Sequence, residues 1–354
     1  MSALMDEPAE PRPGEGLDVA ALAAWLRASA PGRGGAIEVA QFHGGYSNLT
    51  YLVTVGGREM VLRRAPDAAE GRGARDVMRE YDVLARLCEV YPLAPRPICR
   101  CDDRSVIGAP FYLMERRRGL VLRRQLPAGL ALGVTEARRL SEVFIDTLAH
   151  LHSIDGEAAG LTRLTASEGY AGRQVREWIL RYKRSAVGSQ VDMADVARWL
   201  EAELPPDGAA AMIHNDYKYD NLMFDPGDLT RVVAVLDWEM GSIGDPRMDL
   251  GTALAYWQER DDPAHRLLAV GPTYLPGSLT RRQLVERYEQ RTGRPFARAV
   301  YYYVFGLFKV AVIAQRLHER YLRGETRNPR LAGLGRHVTL LSRAAAEAAG
   351  SGRC

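Results

Sequence analysis

The sequence predicts an α+β chain. Strand-like segments cluster within the first 116 residues, helical spacing dominates after Leu126-Pro127, and no strand–helix alternation runs through the chain. Met1 to Gly16 is rich in Pro and Glu and reads as a mobile tail. Residues 17–29 place Leu17, Ala20, Leu22, Ala23, Trp25 and Leu26 at helical spacing, and Pro31-Gly32 ends the run. Strands are expected at 36–42, 50–55 and 59–64, with Gly44-Gly45 between the first two and the hairpin turn Gly56-Gly57 between the second and third. A helix at 74–90 carries Val77, Tyr81, Leu84 and Leu87 on one face, and two more strands follow at 96–101 and 111–116.

Beyond residue 116 the pattern is helical. Residues 136–154 repeat Leu140, Val143, Phe144, Thr147, Leu148 and Leu151, and helices are expected again at 170–187, 192–203, 247–259, 280–292, 296–323 and 331–349. Short strands at 211–213, 222–224 and 232–236 interrupt them. The expected division is a tail at 1–16, a β-rich part at 17–116 and a helical part at 117–354.

Composition excludes several classes. A hydrophobic content of 47% supports a sizeable core, and a formal net charge of +3 without a long basic run gives nucleic acid no footprint. Cys88, Cys99, Cys101 and Cys354 match neither zinc spacing nor a disulfide framework, so a reducing compartment is expected. The acidic N-terminus is the wrong flank for a secretory signal, and no apolar run reads as long enough to span a bilayer. A soluble cytoplasmic protein is the expectation.

The chemistry sits in His214-Asn215-Asp216-Tyr217-Lys218-Tyr219-Asp220-Asn221, followed by Asp237. Phosphoryl transfer from a nucleotide needs a carboxylate to orient and deprotonate a hydroxyl, a cation near the phosphate, and oxygen ligands for magnesium. Read singly, Asp216 is a solvated carboxylate, Asn221 a turn residue and Asp237 a cap. Read together they form an ordered set. Mg²⁺ takes one or two protein oxygens plus water and phosphates, which suits Asn221 and Asp237, with Glu239 as an outer group or a ligand to a second metal. Pairing 222–224 antiparallel with 233–236 is expected to bring Asn221 and Asp237 to one mouth.

These residues, with Phe42-His43-Gly44-Gly45-Tyr46-Ser47-Asn48, Val61-Leu62-Arg63-Arg64, Leu148-Ala149-His150-Leu151-His152 and Leu236-Asp237-Trp238-Glu239, resemble the aminoglycoside phosphotransferase and choline kinase superfamily. The resemblance covers roughly residues 36–320 and is to the branch found as the kinase-like module beside acyl-CoA dehydrogenase domains and as stand-alone bacterial proteins. It implies a bilobal protein-kinase-like fold, with a small β-rich N-terminal lobe and a larger helical C-terminal lobe, using ATP and Mg²⁺. By the same resemblance Asp216 is the catalytic carboxylate, Lys218 a phosphate contact, His214 scaffold and Asp249 a tie to the catalytic-loop backbone. Gly44, Gly45, Ser47 and Asn48 would cradle phosphates. The family's third-strand Lys is replaced by Arg63, a permanently charged phosphate ligand, with Glu80 its expected partner. Met114 and Glu115 would face adenine through their backbone.

Arg116, Arg117, Arg118, Arg123 and Arg124 read either as ordinary solvated charges or as a surface for an anionic acceptor such as an acyl-CoA. The Tyr-rich run at 296–321 reads mainly as core, with one face able to line an apolar acceptor pocket ending in Lys309 or Arg316. The expected activity is phosphorylation of a small-molecule hydroxyl, with a 4-hydroxyacyl-CoA suggested by the resemblance and an acyl-CoA dehydrogenase as the pathway partner. An aminoglycoside- or choline-type kinase and a non-catalytic nucleotide-binding module are the open alternatives.

Overall fold

Alternation builds the first sheet. In β2 (Leu49–Val55) Tyr51, Val53 and Val55 turn inward while the residues between them stay half-buried. The computed structural model describes residues 7–29, 35–43, 48–65, 72–156, 160–161, 169–185, 193–263, 265–326 and 328–354. β1 (Ile37–Phe42), β2, β3 (Arg58–Arg64), β4 (Pro97–Cys101) and β5 (Phe111–Glu115) form an antiparallel sheet in the order β1-β2-β3-β5-β4. The β2–β3 turn needs Gly56 and Gly57, whose φ values are +53° and +78°, a region that disfavours side chains. Leu22 and Leu26 of α1 (Val19–Ser29) bury against this sheet with Tyr51, Leu62 and Phe111. α2 (Arg72–Leu87) follows β3, and α3 (Arg104–Ile107) is capped by the Asp103 carboxylate.

Residues 7–16 make contacts with the sheet: Ala9 exchanges backbone hydrogen bonds of 2.9 and 2.7 Å with Gln41, and the Tyr51 hydroxyl donates to the Glu15 carbonyl at 2.6 Å. Buried Gln41 supplies the reason, since its amide also takes the Arg12 N–H at 2.8 Å and donates to Glu15. Pro and Glu content alone hid these partners.

The chain divides into two compact units. The first takes the described residues up to Val121 together with Leu222–Asp228 and Val232–Gly241, and the second takes Leu122–Asn221, Leu229–Arg231 and Ser242–Cys354. A second sheet, ordered β6-β8-β9, joins β6 (Leu120–Val121), β8 (Leu222–Asp225) and β9 (Asp228–Val235). The antiparallel β8–β9 pairing is the expected one, with Leu222 opposite Val235. β7 (Ala211–Ile213) pairs antiparallel with β10 (Ser242–Gly244).

The helices of the second unit are α4 (Val134–His152), α5 (Tyr170–Arg184), α6 (Ala194–Ala202), α7 (Pro246–Tyr256), α8 (His265–Leu268), α9 (Arg281–Thr292), α10 (Ala299–Leu322) and α11 (Leu334–Ser351). By length and composition α10 could cross a bilayer, contrary to the sequence reading, but 72% of that apolar stretch is buried inside the protein. Its apolarity is accounted for by core packing. α7 and α10 meet backbone to backbone at Gly251 and Gly306, where an added Cβ on Gly251 would overlap the Tyr302 carbonyl. Gly251→Ala is therefore expected to cost about 3 kcal/mol by forcing the two helices apart. Urea unfolding measures it, and a loss near zero would mean that the crossing yields freely.

Candidate active site

Two buried groups, Asp249 and His152, shape the loop after β7. Asp249, fully buried on α7, accepts from the His214 N–H through Oδ2 and from the Asn215 N–H through Oδ1, each at 2.7 Å. His152 Nε2 lies 3.2 Å from the same Oδ2, and the other ring nitrogen lies 2.8 Å from the Tyr288 hydroxyl. Burial resists the Asp249 charge, but His152, His214 and the backbone donor outweigh it and hold its pKa below the usual carboxylate value. This is the expected tie to the loop backbone. His214 is wholly buried, and its Nδ1 accepts from the Asp216 N–H at 3.2 Å, which is the work of a scaffold residue.

Asn215 adopts φ +67°, a left-handed conformation uncommon outside glycine. Its side-chain amide meets the Tyr170 hydroxyl and donates to Ser242 Oγ at 3.2 Å, while its carbonyl accepts from Lys309 Nζ at 2.6 Å. The chain then turns to present Asp216, whose side chain is 15% exposed. Lys218 Nζ donates to Asp216 Oδ2 at 2.5 Å, and the Tyr256 hydroxyl donates to Oδ1 at 2.7 Å. Asn221 Nδ2 donates to the Asp216 carbonyl at 2.8 Å and to Oδ2 at 3.2 Å. With its nitrogen committed in this way, the Asn221 amide keeps Oδ1 as its acceptor, suited to a hard cation. Tyr256 was missed by the sequence reading. Burial, then the Asp216 carboxylate, hold its phenol protonated, and Lys218 Nζ stands 5.0 Å from its ring centre. Asp220 has one buried oxygen without a hydrogen-bond partner, and burial pushes its carboxyl up to about 6.

In the first unit Arg63 is the organising charge. Its guanidinium donates to Glu80 Oε1 at 3.0 Å and to Asp237 Oδ1 at 2.9 Å, and Glu80 Oε1 also accepts the Trp238 N–H at 3.0 Å. Burial opposes the Arg63 charge, yet Glu80 and Asp237 overcome it and raise its pKa well above the ordinary value. Burial pushes the Glu80 carboxyl up to about 7 against the pull of Arg63. The expected Arg63–Glu80 pair forms, and Asp237 completes a triad that the sequence did not announce. Asp237 itself takes φ +68°, which turns the chain from β9 into the helical turn Trp238–Met240. Asn48 Nδ2 donates to Glu239 Oε2 at 2.8 Å, fixing Glu239 away from a purely solvated role. Gly44, Gly45 and Ser47 lie outside the described residues.

Met114 and Glu115 lie in the β5 ladder, where the Glu115 N–H donates to the Arg96 carbonyl at 2.9 Å. The arginine surface is largely neutralised. Arg116 pairs with Glu7 and Glu59 at 2.8 Å, Arg118 with Glu59 at 2.6 Å, and Arg117 with Glu115 at 2.6 Å. These carboxylates are distant in sequence or look unremarkable within it, and they remove the argument for an anionic acceptor from those three residues. Lys309, expected at the end of an acceptor pocket, is instead buried against the loop.

Known proteins resemble this chain to different degrees. Residues 38–292 match the model of the phosphotransferase enzyme family. Acyl-CoA dehydrogenase family member 11 of Rattus norvegicus is 32% identical over 320 residues, covering 87% of this chain and 40% of that protein. The chain thus spans about two fifths of the length of that relative. A solved structure described as a putative aminoglycoside phosphotransferase from Ralstonia eutropha is 30% identical, with a TM-score of 0.77 and coverage of 95% of this chain and 99% of that one. The fold alone is shared with a thermostable mutant aminoglycoside phosphotransferase in ternary complex with AMP-PNP and hygromycin B (15% identity, TM-score 0.56, 94% and 99% covered). The α+β chain, with its N-terminal antiparallel sheet and helical C-terminal part, belongs to the phosphotransferase enzyme family, alongside the corresponding region of the acyl-CoA dehydrogenase family members.

Proposed function

We propose that the chain is an ATP-dependent kinase of a small-molecule hydroxyl. The observation that carries this reading is the fixed Asp216 carboxylate, held by Lys218, Tyr256 and Asn221 on a loop braced by Asp249. In this reading Asp216 orients the acceptor hydroxyl and takes its proton as the oxygen–phosphorus bond forms and the bond from the γ-phosphorus to the bridging oxygen breaks, releasing ADP. Lys218 supplies positive charge for the transferred group. Arg63, with Gly44, Gly45, Ser47 and Asn48, is assigned to the nucleotide phosphates.

Asn221 and Asp237 are assigned to magnesium. The donor chemistry fits, one carboxylate and one amide oxygen being what Mg²⁺ takes beside water and phosphates. When bound, the ion supplies charge that offsets the phosphate oxygens.

A 4-hydroxyacyl-CoA is the acceptor we infer first, because similarity to acyl-CoA dehydrogenase family member 11, at 32% identity, extends over 87% of the chain. Phosphorylation of the 4-hydroxyl would make it a leaving group for a partner enzyme of acyl-CoA chemistry. The pairing of Arg116, Arg117 and Arg118 with carboxylates takes away the charge objection to aminoglycosides, so these stand as the second reading. The test offers purified protein Mg-ATP with 4-hydroxyacyl-CoAs, aminoglycosides and choline, and scores ADP and phosphorylated product. Product from a hydroxyacyl-CoA alone is expected. Nucleotide binding without turnover on any acceptor would favour a non-catalytic module.

A further inference from the structure

Lysine is a costly residue in the interior. Desolvating an ammonium costs several kcal/mol, and a methionine of similar length would fill the space of Lys309 without that cost. Yet Lys309 of α10 is 1% exposed and follows the buried run Tyr301–Phe308. Its Nζ donates to the Asn215 carbonyl at 2.6 Å and stands 5.7 Å from the centre of the Trp178 ring on α5.

Asn215 is the reason such a group is useful. A non-glycine residue at φ +67° persists only where its surroundings over-determine it. Asp249 takes its N–H, Tyr170 and Ser242 take its side chain, and Lys309 takes its carbonyl. The carbonyl belongs to the peptide that leads directly into Asp216. A negative group thus grips one side of the strained residue and a positive group grips the other.

We propose that Lys309 is a positioning residue for phosphoryl transfer: through the Asn215 carbonyl it locks the left-handed turn that aims Asp216 at the acceptor hydroxyl. The inference rests on the kinase reading only for its kinetic consequence, since the clamp itself is a property of the loop. The groups that face the Lys309 ammonium are Asp249 of α7, Asp216 and Lys218 of the loop and Arg181 of α5. Burial, opposed by Asp249 and Asp216, lowers its pKa to about 8. The charge on the clamp is therefore present below that pH and lost above it.

The test compares the full chain with Lys309→Met and Lys309→Gln, using Mg-ATP with the acceptor that the wild type phosphorylates, or water where none is found. In Lys309→Met we expect kcat to fall about 100-fold, the size of effect that misaiming a reacting group produces, with KM for ATP within about two-fold. Global stability is expected to hold or rise, because a buried charge has been removed. That gain is largest below pH 8, where the native ammonium is charged. It shrinks as pH climbs toward 10.5, because there only the unfolded chain keeps the proton. Hydrogen exchange at the Asn215 and Asp216 amides should quicken, and Lys309→Gln, which can still donate, should recover part of kcat. The wild-type rate should also fall above pH 8, a limb missing from Lys309→Met.

A lysine that merely packs would leave kcat, its pH profile and exchange at Asn215 unchanged in Lys309→Met, which fills the same space. A folded Lys309→Met with unchanged kcat and unchanged exchange at Asn215 overturns the proposal. If Lys309→Met does not fold, the same readings on Lys309→Gln decide. If the wild type turns over no ATP, the kinase reading fails and exchange alone judges the clamp.

Discussion

Asp216→Asn should lower phosphoryl transfer about 1000-fold while leaving the fold intact, a loss within the range for removing a positioned general base. The fold survives because an amide can serve the same neighbours. Its oxygen can still accept from Lys218 and Asn221, and its nitrogen can face the Tyr256 hydroxyl, so none of the three partners of the carboxylate is left stranded. What the amide cannot do is take the acceptor's proton. Asp249 continues to hold the loop backbone through His214 and Asn215, so a collapse of the site is not an available explanation for lost activity. The measurement is kcat alongside urea unfolding. A variant as active as the wild type would sink the mechanism, and one that is inactive but also unfolded would show that the Asp216 contacts carry stability as well.

How much of this was legible in the sequence depends on how far apart the partners lie. The five strands of the first sheet announce themselves through alternation and glycine turns, and the Asp216–Lys218–Asn221 set through local spacing. β6 and β10 were missed because two or three residues carry no periodicity. β9 starts earlier than expected because Asp225-Pro226-Gly227-Asp228 reads as loop chemistry, while its outer residues are polar and exposed. Tyr256 reaches Asp216 across 40 residues, and Lys309 reaches Asn215 across 94. No local pattern encodes such pairs. Lys309 did carry one signal: a charged residue within an apolar helical run is either a mistake in the helix or a group with a buried task. The arginines after β5 show the opposite failure. Their charge was visible, but the carboxylates that neutralise Arg116 and Arg118, Glu7 and Glu59, were far off in sequence.

Arg63→Met offers the other large effect, on stability and on nucleotide binding at once. Arg63 is nearly buried, and its removal would leave Glu80, 1% exposed, without its cation and Asp237 without its guanidinium. Stranding a buried charge in this way costs about 3–5 kcal/mol. A methionine at Glu80 as well should give much of that back, since replacing both members of a buried pair by apolar groups is often close to neutral. Urea unfolding of the two single variants and the double variant forms a cycle, and a coupling within about 0.5 kcal/mol of zero would mean the pair is not energetically linked. Nucleotide affinity should behave differently along the same series. If Arg63 also serves the phosphates, the double variant regains stability but not its affinity for ATP, because no apolar side chain replaces a phosphate ligand. Should affinity return together with stability, Arg63 would be a structural charge, and the task of the missing third-strand lysine would belong to another residue.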